Sequence, residues 1–238
     1  MTQSHVGSAI LRTVDDLRGP AGRLEALLNP GVPDAPYSAL VCHPHPLGGG
    51  TMHNKVVYHA MKAFQKLGLP VLRFNFRGTG LSEGDHDYGV GETDDVRAAL
   101  DWLDREFHLP MLFAGFSFGS YVGLQVCCGD SRIGGMVALG LPVQAEGRNY
   151  RYEFLCACSQ PKLFISGDCD PYGSVAGVES AVACAPEPKQ MIWIHDADHF
   201  FASAEPGGSG KTAGSKLDEV RTAIQSWARQ NFPSLNRK

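Results

Sequence analysis

The sequence predicts an α/β protein built on a mostly parallel sheet with helices on both faces. Two patterns carry that expectation. From Ser38 onward, short apolar runs of strand length alternate with longer stretches whose apolar residues recur at helical spacing, the mark of right-handed βαβ crossovers. Residues able to do chemistry then collect just after the apolar runs, where the carboxyl ends of parallel strands gather functional groups. The 238 residues are 43% hydrophobic and 19% charged. That is enough for a sizeable core, so we expect one domain over 1–238 with a central eight-stranded sheet and no cap domain.

The elements follow in order. Residues 8–14 and 23–28 read as strands joined by a turn at Gly19-Pro20-Ala21-Gly22, forming an antiparallel edge. Pro30, Pro33 and Pro36 mark a loop, and 38–42 is a short buried strand ending at His43-Pro44-His45-Pro46-Leu47-Gly48-Gly49-Gly50. Asn54 is placed to cap a helix whose Val57, Ala60, Met61, Phe64 and Leu67 share one face. Gly68 suits its end. Residues 70–74 form the next strand. A helix starts at Thr93 or Asp94, with Val96, Ala99, Leu100, Leu103 and Phe107 on one face and acids in its first turn.

Residues 111–116 are an apolar strand that runs into Gly115-Phe116-Ser117-Phe118-Gly119 and then into a helix. Residues 133–139, 162–166 and 190–194 read as further strands, with a helix over 175–184 between the last two. A final helix begins near Ser215, with Asp218 at capping-box spacing and Leu217, Val220, Ile224 and Trp227 as its buried stripe. The interval 140–160 is too short for a cap domain, although Tyr150, Tyr152 and Phe154 suit a small aromatic flap.

Composition excludes several classes. A net charge of −4 without a long basic run argues against nucleic acid or an anionic membrane as partner. No apolar run approaches a membrane span, and residues 1–10 lack the basic-then-apolar order of a secretion signal. Seven scattered cysteines, with Cys42, Cys127 and Cys128 in or beside core elements, fit reduced thiols in the cytoplasm.

The strand–G-x-S-x-G–helix context makes Ser117 the candidate nucleophile. The flanking glycines permit a sharp, strained turn, and the helix N-terminus favours developing negative charge. A serine hydroxyl needs a base in hydrogen-bond reach, and the base needs an acid to orient it. Asp168 and Asp170 follow one later strand; His195 and His199 follow the next. Within each pair the residue farther from its strand has loop to travel on, which selects Asp170 and His199. Asp168 and Asp198 then read as turn acids.

Donors for an acyl oxygen are expected from the N–H of Phe118 and from the 43–46 loop. There Pro44 and Pro46 have no N–H, which leaves His45. Phe116, Tyr150 and Phe200 are the candidate walls of a substrate pocket, with core packing as the other reading of each.

His43, His45 and His53 match no zinc spacing, so no metal and no cofactor are expected. The run Gly207-Gly208-Ser209-Gly210-Lys211-Thr212 has Glu205 where a phosphate-binding loop needs its first glycine and reads as a surface loop. Cys156 and Cys158 are not spaced as a redox pair. Arg77 is expected to tie its turn to Glu92 or Asp95. Glu83, Asp85 and Asp87 are expected to be solvated.

Two further motifs, H-P-H-P-x-G-G at 43–49 and R-G-x-G-x-S at 77–82, join the serine turn and the Asp and His loops. With these the chain resembles the α/β-hydrolase superfamily. More narrowly it resembles small lidless bacterial serine hydrolases related to dienelactone hydrolases and cinnamoyl-type esterases. The resemblance runs from about Arg12 to Phe232. It implies an acyl-enzyme on Ser117, a small-molecule acyl substrate of small to medium ester type, and a monomer or homodimer. Dienelactone hydrolases proper use a cysteine, so the serine points to ordinary ester chemistry. Thioesterase or amidase action by the same residues, and a non-catalytic binding protein on this fold, are the alternatives.

Overall fold

The computed structural model describes residues 11–145, 147–203 and 212–236. Its central sheet has eight strands: β1 (Arg12–Val14), β2 (Ala26–Asn29), β3 (Ser38–Cys42), β4 (Val71–Phe74), β5 (Met111–Phe116), β6 (Ile133–Leu139), β7 (Lys162–Gly167) and β8 (Lys189–Ile194). Their spatial order is β1-β2-β4-β3-β5-β6-β7-β8. β2 runs antiparallel to both neighbours, and every pairing from β4 to β8 is parallel.

The central strands are apolar on both faces, so the sheet has to be covered twice. Ala39 and Val41 of β3, and Leu112, Ala114 and Phe116 of β5, enter one core; Leu40, Cys42, Met111 and Phe113 enter the other. This period-two alternation separates two hydrophobic clusters. Helices α1 (Lys55–Lys66) and α5 (Thr212–Asn231) cover one face through Val57, Phe64, Val220, Ile224 and Trp227. Helices α2 (Gly91–Phe107), α3 (Phe118–Cys127) and α4 (Val175–Val182) cover the other through Leu100, Leu103, Val122 and Val178. Among the described residues no helix is long and apolar enough to cross a membrane.

Several boundaries depart from the sequence reading, each for a visible reason. A strand over 23–28 is not formed. Arg18–Gly19 and Gly22–Arg23 make a short hairpin, and β2 starts only at Ala26. The chain before it is drawn to another loop: Arg23 N donates to Glu83 Oε2 at 2.6 Å, and Glu25 N to Ser82 Oγ at 2.9 Å. Glu83 is therefore not merely solvated. Nor is Asp87, whose carboxylate accepts the Gly91 N–H at 2.9 Å. That bond, and Glu92 accepting the N–H groups of Asp87 and Gly89, start α2 at Gly91 rather than at Thr93 or Asp94.

Arg77 chooses Asp95, at 2.7 Å, over Glu92. The carboxylate raises the guanidinium's pKa by hydrogen bonding to it. Helix α5 begins at Thr212. Asp218 lies inside it and pairs with Arg221 at 3.0 Å instead of closing a capping box. Residues 8–10 of the expected first strand and residues 207–211 of the glycine-rich run lie outside the described residues. Asn54 caps α1 as expected, accepting the Val56 N–H at 2.9 Å.

Residues 140–160 form no cap domain. They make a hairpin, Gln144–Ala145 with Arg148–Asn149, followed by a 3-10 turn over Glu153–Ala157. One expectation about cysteine fails here. Cys156 of the 3-10 turn and Cys184, two residues beyond α4, are joined by a disulfide with their Cα atoms 4.8 Å apart. Cys42, Cys127, Cys128, Cys158 and Cys169 are free thiols.

Candidate active site

Ser117 stands between the end of β5 and the start of α3 with φ +55° and ψ −121°. This is a strained conformation for a residue with a Cβ, and surrounding bonds hold it. Ser117 N donates to Leu139 O at 2.9 Å, and the buried Ser120 hydroxyl donates to Gly115 O at 2.7 Å. Both neighbours must be glycine: a Cβ on Gly115 would strike the Gly119 carbonyl across the turn, and Gly119 faces the end of β3. A Cβ on Gly119 would strike the carbonyl oxygen of His43 and Cys42 there. Its absence lets the 43–50 loop lie directly against the serine turn.

The structure brings Asp170, His199 and Ser117 together. His199 Nε2 is 2.8 Å from Ser117 Oγ, and His199 Nδ1 is 2.7 Å from Asp170 Oδ2. The three residues are 4%, 4% and 9% exposed. The carboxylate takes the Nδ1–H, which leaves Nε2 with a lone pair facing the serine hydroxyl.

Each loop is shaped to deliver its side chain. Asp170 Oδ1 accepts the Tyr172 N–H at 2.8 Å, which fixes the carboxylate from its other side. Asp198 Oδ1 accepts the N–H groups of Phe200 and Ala202, curling 198–202 so that His199 faces inward. The two loops touch where Cys169 N donates to Ala197 O at 3.0 Å. Asp168 and His195 meet each other instead, at 2.8 Å, with the His195 side chain 95% exposed. They do not reach the serine.

His43 holds the facing loop. It is fully buried. Its Nδ1 lies 2.7 Å from Pro44 O, and its Nε2 lies 2.9 Å from Phe76 N. Nδ1–H must therefore donate to the carbonyl, and Nε2 must accept from the amide. Burial lowers its pKa to about 4, so the ring stays neutral and both nitrogens are committed to the fold. His45 caps the 3-10 turn Pro46–Gly48 through Nδ1, which accepts the Leu47 N–H at 3.2 Å. Its ring packs on Phe118 and His86, each at 4.8 Å. Phe118 is the first residue of α3, so its N–H has no acceptor within the helix.

A pocket of about 130 Å³ opens at the serine, lined among others by His45, Gly49, Ser117, Tyr150, His199 and Phe200. Two of the three expected wall residues, Tyr150 and Phe200, are there. Phe116 is not. It is the last residue of β5, and strand alternation turns it into the α1/α5 core, where it is fully buried. It backs the imidazole from behind, at 5.0 Å from the His199 ring. The sequence reading missed Tyr172, whose ring lies 4.8 Å from His199 at the rim of the pocket. Its position two residues after Asp170 was the available signal. It also missed Asn54, which lines the pocket while capping α1.

Comparison with known proteins agrees with this fold. The family described as "Alpha/beta hydrolase domain" matches residues 38–229. This chain belongs to the α/β-hydrolase family. It is 40% identical over 191 residues to an uncharacterised protein of Rickettsia prowazekii, covering 77% of this chain and 79% of that one. Among solved structures it is similar to an α/β serine hydrolase without a lid from Xanthomonas campestris. The TM-score is 0.74, with 31% identity over 93% of this chain and 94% of that one. It is likewise similar to an α/β serine hydrolase homologue from Coxiella burnetii, with TM-score 0.75 and 32% identity over 94% of this chain and 99% of that one.

Proposed function

We propose that this α/β-hydrolase cleaves small carboxylic esters through an acyl-enzyme on Ser117. The observation that carries the reading is the unbroken hydrogen-bonded line Ser117–His199–Asp170, at 2.8 Å and 2.7 Å. Ser117 Oγ attacks the ester carbonyl as its proton passes to His199 Nε2. The tetrahedral oxyanion is received by the N–H groups of Phe118 and His45. Its collapse breaks the ester C–O bond, and the imidazolium returns the proton to the leaving alcohol. Water then repeats the sequence on the acyl-enzyme, releasing the acid and restoring the serine. Asp170 holds the ring in the tautomer the first step needs.

The described pocket is lined by no Lys, Arg, Asp or Glu, which supports an uncharged substrate. The test is hydrolysis of p-nitrophenyl acetate. Wild type should turn it over, and Ser117→Ala should lose about 10⁴-fold or more in kcat. Equal rates for the two proteins would reject the reading. The five free thiols support a cytoplasmic setting, the single disulfide notwithstanding.

A further inference from the structure

Beside the serine pocket lies a second, larger hollow of about 430 Å³, between residues 149–153 and α4. It carries charged groups, Arg151 and Glu153, where the serine pocket has none, but both linings mix polar and apolar side chains. Tyr150 lines both. Its side chain is a fixed wall. The residue is 8% exposed, the ring stands edge-on to Tyr121 at 4.9 Å, and the Arg148 guanidinium lies over it at 5.8 Å. Its backbone N–H is pinned to Val143 O at 2.9 Å. Arg148 is anchored in turn to Tyr88 O at 2.6 Å.

The volumes decide what each space can take. A cavity of about 150 Å³ holds one benzene, so 130 Å³ admits an acyl group of roughly five or six heavy atoms. The neighbouring hollow alone falls in the range of ordinary ligand pockets, about 300–1,000 Å³.

Resting on the esterase reading above, we infer that Tyr150 determines the specificity of this site. Its ring separates the two spaces and confines the enzyme to short, uncharged acyl groups. Removing the ring joins the serine pocket to the larger hollow and admits longer chains.

The experiment measures two quantities on wild type, Tyr150→Phe, Tyr150→Leu and Tyr150→Ala. One is kcat/KM for p-nitrophenyl acetate and octanoate. The other is the rate of covalent labelling of Ser117 by a methyl and by an octyl p-nitrophenyl phosphonate, which reads the pocket without turnover. Wild type and Tyr150→Phe should favour the short member of each pair by at least about tenfold, the scale on which a pocket discriminates chain length. Tyr150→Ala should raise the long-to-short ratio about tenfold or more. Tyr150→Leu, which keeps apolar bulk against Tyr121, should fall between. Retained labelling by the methyl phosphonate shows that a variant is folded. A chain-length ratio unchanged in both Tyr150→Leu and Tyr150→Ala, with Ser117 still labelled, overturns the role of Tyr150 alone. Failure of wild type to be labelled by either phosphonate overturns the esterase reading, and this inference with it.

Discussion

At the scale of single residues, the choice within each Asp and His pair is the sharpest statement the chain permits. His199→Ala should reduce kcat by about 10⁴-fold or more, while His195→Ala, whose ring is 95% exposed, should stay within a few-fold of wild type. Asp170→Asn should cost on the order of 10⁴-fold, and Asp168→Asn little. A steady-state comparison of the four variants checks this, and a dead His195→Ala would reverse the assignment. The selection was readable because reach depends on loop length, and loop length is written in the sequence. Phe116 was not readable in the same way. Its nearness to Ser117 suggested a pocket wall, but strand alternation, which sends it under the imidazole, depends on where β5 stops.

His43 makes a second prediction at this scale. Its folded pKa of about 4 lies below the ordinary value of about 6.5. Between those values the unfolded chain binds the extra proton, so stability rises with pH through that window and is fully present above it. The contribution is about 3 kcal/mol. Urea unfolding at pH 7 and near pH 4.5 should show the wild type losing more stability than His43→Gln does. Equal losses would mean that the buried ring is not the acid-sensitive group.

At the scale of elements, the contact between the serine turn and the facing loop is set by a missing side chain. Gly119→Ala places a methyl on the His43 carbonyl, so either the loop or the helix start must shift. We expect a loss of about 1–3 kcal/mol in stability. A displacement on the order of 1 Å at the oxyanion donors should lower kcat about 100-fold, with less effect on KM. Urea titration and steady-state kinetics read both, and a variant with wild-type kcat would show that the loop does not serve the site. The motif G-x-S-x-G contains this glycine, so the requirement was visible; the atom it avoids was not. The starts of β2 and α2 were misjudged because Glu83, Asp87 and Glu92 bond to backbone across loops, and no local propensity records such bonds.

At the scale of the whole molecule, the double-sided apolar strands and the alternating helices made the sheet and its two covering layers readable from pattern alone. The Cys156–Cys184 bond was not, since residues 28 apart in sequence meet there only after the chain folds. The Arg77–Asp95 pair, with side chains 10% and 0% exposed, fastens the loop after β4 to α2. Arg77→Ala strands a buried carboxylate and should cost roughly 3–5 kcal/mol, lowering Tm by about 10 °C. Calorimetry measures it, and an unchanged Tm would remove the pair from the account of stability.

In the proposed reaction one serine, placed by the β5–α3 turn and addressed by His199, is the nucleophile. Intact-mass measurement after reaction with a fluorophosphonate tests it most directly. Wild type should gain one adduct, mapped by peptide analysis to Ser117, and Ser117→Ala should gain none. An adduct on another residue, or labelling that persists in Ser117→Ala, would contradict it.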